Sequence, residues 1–193
     1  MNRRLVLGLF TLLSVFQAQA VLAQWSLDND ASTVSFVTVK AEHVAEVHTF
    51  DSVNGSLSSD GDFIINIELA SVNTMIPIRN ERMQEMLFET GMFPRATISG
   101  EVDIAAVGRL NAGESMAFTV PITLDLHGAT QNYQAEIMAT RTPDGVVATS
   151  VKPIVVSADN HNLAAGVEAL REVAGLPGIT RSVPVSFTVV FAD

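Results

Sequence analysis

From Ala117 to Leu126 the chain alternates without a slip. Phe118, Val120, Ile122, Leu124 and Leu126 fall on one side of an extended strand, and Ala117, Thr119, Pro121, Thr123 and Asp125 on the other. A period of two marks a strand buried on one face, and a shift of one residue would turn the whole apolar set to water. The pattern recurs. Phe63, Ile65, Ile67 and Leu69 oppose Asp62, Ile64, Asn66 and Glu68, while Ala96, Ile98, Gly100, Val102 and Ile104 oppose Thr97, Ser99, Glu101 and Asp103. Tyr133, Ala135, Ile137 and Ala139 form another set, and Val183, Val185, Phe187, Val189 and Phe191 the last. Further strands are expected over 25–40, broken at Asn29-Asp30 and carrying Val34 and Phe36 on one face, over 44–50, and over 146–156. Turn chemistry separates them: Asn54-Gly55 as a turn or bulge, Asp60-Gly61 as a hairpin, His127-Gly128, and Pro143-Asp144-Gly145. Pro121 has no ladder donor, so a bulge or an edge is expected there.

Two stretches break the period. Pro77 suits the first turn of a helix, Ile78, Met83, Met86 and Leu87 follow mostly at helical spacing, and Gly91 with Phe93-Pro94 ends the run. Downstream, Leu163, Val167, Leu170 and Ala174 make an i, i+4, i+7, i+11 stripe, with Asp159 or Asn160 as N-cap and Gly175 as the stop. The prediction is a mainly β, antiparallel barrel of about eight strands, with a helix between early strands and a helix before the last strand. A barrel of that size is either filled by side chains or holds one small ligand.

The chain of 193 residues opens with Arg3 and Arg4, an apolar run from Leu5 to Phe16, and small residues ending at Ala23. This is the layout of a signal peptide over 1-23, leaving one domain over 24-193. The run is short of the ~20 residues that span a bilayer, so no stable membrane insertion is expected after cleavage. Formal charge is −10, with 21 acids against 11 bases, two of which leave with the leader. So acidic a surface repels phosphate backbones, which excludes nucleic acid as a partner. An exported chain without cysteine favours a bacterial periplasm.

Motifs of catalysis are missing: no cysteine, no Gly-x-Ser-x-Gly elbow, no phosphate loop or dinucleotide fingerprint. His43 and His48, with Glu42 and Glu46, form the one local histidine cluster, but its spacing fits no metal motif and a structural or surface role is expected. His127 is expected to bond backbone at a strand end. No catalytic residue, metal or cofactor is assigned, and no enzymatic activity is expected. Arg79 and Arg82, three apart, share a helix face. They are read either as solvated beside Glu81 and Glu85, or as contacts for a ligand headgroup, a pyrophosphate or a quinone carbonyl, at a barrel mouth.

Four fragments in order, Ser71-Val72-Asn73-Thr74, Arg79-Asn80-Glu81-Arg82-Met83, Phe93-Pro94 and Leu126-His127-Gly128-Ala129-Thr130, resemble the signature of the YceI-like family. The likeness covers essentially the whole chain after the leader. It departs from the commoner family pattern at two points: Asn80 stands in the place of an acid, and Arg82-Met83 in the place of His-Leu. The resemblance implies a secreted, lipocalin-like barrel that binds a polyisoprenoid or similar long-chain lipid.

By composition alone the inward residues fill an ordinary core. The resemblance turns them into candidates for a cavity wall: Phe36, Phe63, Ile65, Ile67, Ile98 and Phe118, then Val120, Ile122, Leu124, Ile137, Val185 and Phe187. Met75, Met83, Met86 and Leu87 join them near the presumed mouth, with Met92 close by, and small Ala96, Gly100, Ala135 and Ala139 leave room inside. The implied function is a periplasmic binding or carrier protein for a long-chain isoprenoid, whether polyprenol, polyprenyl phosphate or quinone tail, with homodimer formation open. Two other readings stand beside it. One is a barrel or sandwich with a filled core that acts in stress or interaction, and the other an enzyme acting on a small hydrophobic substrate.

Overall fold

The computed structural model describes residues 25–192, and the expected signal peptide lies outside the described residues. Among the described residues there are twelve strands: β1 (Trp25–Leu27), β2 (Thr33–Lys40), β3 (Val44–Phe50), β4 (Val53–Leu57), β5 (Asp62–Glu68), β6 (Val72–Asn73), β7 (Arg95–Glu101), β8 (Ser115–Leu126), β9 (Ala129–Arg141), β10 (Gly145–Ser150), β11 (Ile154–Ser157) and β12 (Ser182–Ala192).

Pairing reduces the twelve to eight staves. β1 and β2 lie end to end along β12, β3 and β4 along them in turn, and β6 and β5 along those. β7, β8 and β9 follow as single antiparallel staves, and β10 and β11 together make the next. β12 then pairs with both neighbours, β10–β11 on one side and β1–β2 on the other, which closes the ring. The result is an up-and-down antiparallel barrel of eight staves, as the alternation predicts.

Three breaks sit at one level and bond to each other. Asn29 Oδ1 accepts from the Val53 amide at 2.7 Å, and Ser71 Oγ accepts from the Ser52 amide at 3.0 Å while donating to the Glu68 carbonyl at 2.6 Å. Short polar side chains here replace the ladder bonds that a bend removes.

The first helix, α1 (Pro77–Arg82), runs into a π-helical turn at Met83–Leu87, closed by the Phe88 amide on the Met83 carbonyl at 2.8 Å. A second short helix, α2 (Ile104–Gly108), was not foreseen: Asp103 Oδ1 caps it by accepting from the Ala106 amide at 2.8 Å, so the strand expected to reach Ile104 stops at Glu101. The third, α3 (Ala164–Val173), begins after Leu163 rather than at Asp159 or Asn160, because 158–161 form a 3₁₀ turn and Asn162 turns left-handed at φ 57°. Gly175, at φ 62°, ends it as expected. Asn54-Gly55 is neither turn nor bulge but mid-strand in β4, where a Cβ on Gly55 would stand 2.4 Å from the Ile64 carbonyl oxygen. Pro121 produces no bulge; it stays opposite Gln134, one residue past the last β7 pairing at Gly100–Ile122.

A ligand cavity with a charged mouth

One half of the barrel is solid. Leu27, Leu57, Val107, Val146 and Phe191 fill the end beneath α2. Above them Val120, Ala135 and Ile137 pack with Phe63 and Phe118 as a floor. The half beneath α1 and α3 encloses a cavity of about 300 Å³. That is room for about ten water molecules and lies at the lower end of the range for small-molecule sites.

The structure places most of the sequence candidates on this cavity. Phe36, Ile65, Ile67 and Ile98 line it from one side of the barrel, and Ile122, Leu124, Val185 and Phe187 from the other. Met83 and Leu87 reach it from the π-helical turn, and the whole α3 stripe, Leu163, Val167, Leu170 and Ala174, faces it too. The helices therefore form its roof.

Other candidates fall elsewhere. Phe63, Phe118, Val120 and Ile137 belong to the floor, not the wall. Gly100 leaves no empty room, since the Phe63 ring stands 2.7 Å from where its Cβ would be. Met75, with φ 61°, is 84 % exposed, its turn held by Asn73 Oδ1 on the Met75 amide at 2.9 Å. Met86 is half-buried on the side of the turn away from the wall, and Met92 and Ile78 are exposed.

Arg79 and Arg82 stand at the mouth as the headgroup reading has them, but the hairpin side of the mouth was not foreseen from the sequence. On the β2–β3 hairpin Thr38 lies opposite Glu46 and Phe36 opposite His48, so Thr38, Lys40, Glu46 and His48 all point inward. Lys40 Nζ donates to Glu46 Oε2 at 2.8 Å, and Arg79 Nη1 donates to the same oxygen at 2.7 Å. Arg79 Nη2 also donates to the Thr74 carbonyl at 2.7 Å, fastening α1 to the hairpin. Two cations hold the Glu46 carboxyl below its usual range, chiefly through the Lys40 hydrogen bond.

The two histidines of the local cluster divide between a structural and a surface role. His48 is only 4 % exposed and shares a 3.0 Å hydrogen bond between Nε2 and Thr38 Oγ1, whereas His43 is left in solvent. Burial, then the charge of Arg79, pushes the His48 imidazole below the ordinary histidine range. The signal was present as parity: Glu46 and His48 share the strand face of inward Phe50, and Thr38 and Lys40 that of inward Phe36. Arg82, three residues after Arg79, lines the same mouth.

Both departures from the family pattern find a place here. Asn80 Oδ1 accepts from the Thr74 amide at 2.9 Å and from Thr74 Oγ1 at 2.6 Å, work that needs an acceptor and not a charge. Arg82 puts a cation on the mouth, and Met83, 5 % exposed, lies in the roof.

Two further histidines tie the roof down. His127, at φ 52°, places Nε2 2.9 Å from Glu89 Oε2 and its ring 4.3 Å from that of Phe93; its partner is a side chain rather than the backbone expected. Fully buried His161 donates from Nδ1 to the Ala129 carbonyl at 3.1 Å and shares a 2.9 Å hydrogen bond between Nε2 and the Tyr133 hydroxyl. Burial raises the Tyr133 phenol. No group of three or more His, Cys, Asp or Glu that could hold a metal exists among the described residues, and no helix among them is long and apolar enough to cross a membrane.

Barrel, roof and charged rim together give an apolar cavity with a charged mouth, the form of a small-molecule binding site. The chain belongs to the YceI-like domain family, whose model matches residues 25–191. Among solved structures, it is similar to a polyisoprenoid-binding domain from Saccharophagus degradans implicated in plant cell wall breakdown, at 40% identity over 89% of this chain and 98% of that one, with a TM-score of 0.85. BcnA of Burkholderia cenocepacia (16% identity, 85% of this chain and 98% of that one, TM-score 0.64) and the YCEI protein of Campylobacter jejuni (11%, 76% and 84%, TM-score 0.54) share the fold. No curated protein matches the chain.

Proposed function

We propose that this protein is an exported, periplasmic binding or carrier protein that shelters the tail of a long-chain isoprenoid lipid in its barrel and performs no chemistry on it. The observation that carries the reading is the roofed apolar cavity of about 300 Å³. Its support from outside is the 40% identical relative described as a polyisoprenoid-binding domain. Phe36, Ile65, Ile67, Ile98, Ile122, Leu124, Val185 and Phe187 would surround the tail, with Met83 and Leu87 above it. A buried CH₂ contributes ~0.8 kcal/mol, so one five-carbon unit supplies on the order of 4 kcal/mol gross. Part of this is lost in ordering the chain, yet a few units reach the roughly −8 kcal/mol of micromolar binding without a hydrogen bond.

Native mass spectrometry of protein purified from its own host, followed by solvent extraction, tests this reading. A co-purifying isoprenoid is the expected result. Absence of any lipid, together with no uptake of added polyprenol, would overturn it.

A further inference from the structure

The cavity reverses the charge balance of the chain. Acids outnumber bases 21 to 11 overall, but the charged residues on the cavity are Lys40, Arg79 and Arg82 against Glu46 alone. Three cations less one carboxylate leave the mouth at +2. Among the described residues Arg82 makes no ion pair. Three buried side-chain nitrogens have no hydrogen-bond partner among the described residues, and two are at this mouth: His48 Nδ1 and Arg79 Nε. Both nitrogens thus sit beside the mouth with hydrogen-bonding capacity left over.

Polarity falls off inward. Lys40 is outermost on the hairpin, opposite Val44; Thr38 and Glu46 stand one inward pair deeper, Phe36 and His48 follow, and Val34 and Phe50 come last. This is the mould of an amphiphile with a charged head and an apolar tail. Glu46 Oε2, gripped by both Lys40 and Arg79, already occupies the place of an anionic oxygen. Its side chain is 27% exposed, so it can swing outward without unfolding the hairpin.

Resting on the isoprenoid reading above, we infer that the mouth is a headgroup site for a phosphate monoester, and that Glu46 is a built-in counter-ion which the incoming phosphate displaces from Lys40 and Arg79. With Glu46 swung aside, Lys40, Arg79 and Arg82 present three positive charges; a phosphate monoester, at about −1.5 to −2 at neutral pH, offsets half or more of them, a carboxylate offsets one, and an alcohol or quinone none. Glu46 meanwhile keeps the cations paired in the empty protein and sets a threshold against weaker anions.

The test is calorimetric titration of the purified protein with farnesyl phosphate, farnesol, farnesoic acid and inorganic phosphate, in low and in 0.5 M salt. Farnesyl phosphate is expected to bind about tenfold tighter than farnesol, the ratio that 1.4 kcal/mol produces. The advantage shrinks in high salt, where the screening length is only a few Å. Glu46→Gln raises the phosphate-to-alcohol affinity ratio by about tenfold, and Lys40→Gln and Arg82→Gln each lower it. Arg79 is left alone because it also fastens α1 to Thr74. Equal affinity for phosphate and alcohol overturns the headgroup site while sparing the cavity reading, as does a Glu46→Gln ratio that stays put. Farnesoic acid binding as well as the phosphate overturns the phosphate assignment, and tight inorganic phosphate binding overturns the amphiphile. If no isoprenoid binds at all, the cavity reading falls and this inference with it.

Discussion

Gly166 of α3 lies against Leu87 of the π-helical turn so closely that a Cβ built on the glycine would stand 2.8 Å from Leu87 Cα and 2.7 Å from the Met86 carbonyl oxygen. The two halves of the roof therefore cross backbone to backbone, and nothing flexible stands in the way to yield. Gly166→Ala is expected to push them apart and cost on the order of 2 kcal/mol. Thermal unfolding should show a fall in Tm of about 4–8 °C for a domain of this size. An unchanged Tm would mean that the roof has slack.

His127 and Glu89 join the β8–β9 turn to the end of the roof helix across a sequence gap of 38 residues. Glu89 is half in solvent, which limits what the pair contributes. His127→Asn tolerates the left-handed backbone while removing the contact. A double-mutant cycle of His127→Asn with Glu89→Gln should return a coupling of about 1 kcal/mol in urea unfolding. Simple additivity would reduce the contact to coincidence.

Acid should loosen the mouth in two stages. His48 and Glu46 are both held below their ordinary values, His48 by burial and then Arg79, Glu46 by Lys40 first, with Arg79 adding to it. The unfolded chain therefore binds more protons than the folded one once pH falls below about 6.5 for the histidine and about 4.3 for the carboxylate. Stability is complete above both values and declines as pH drops through each window. Comparing Tm between pH 7.5 and 5 for the native protein and His48→Gln isolates the first stage. The decline from pH 6.5 downward should flatten in the variant, and parallel curves would remove His48 from the account.

The floor sets how deep a tail can reach. Phe63 over Gly100, together with Phe118, closes the cavity from below. Phe63→Ala should open a channel toward the solid half at a stability cost of about 3 kcal/mol. Preference should then move toward longer isoprenols, read as the ratio of affinities for a C20 and a C15 alcohol. An unmoved ratio would place the end of the tail elsewhere.

Strand number, inward faces and the apolar stripe of α3 were all readable from the chain, because a period of two or of 3.6 is local and burial enforces it. The expected leader over 1-23 lies outside the described residues. α2 and the late start of α3 escaped, since one cap at Asp103 and one left-handed residue at Asn162 outweighed the longer pattern around them.

What folding alone decided is which inward residues border a hollow and which fill it. Phe63 and Ile65 carry the same alternation, yet one is floor and the other wall. Alternation reports which face is buried and is silent about depth along the barrel axis, which closure and the packing of α1 and α3 determine. The mouth needed closure as well. Lys40 and Glu46 meet through the hairpin register, and Arg79 reaches them across 33 residues only because α1 folds back over the open end.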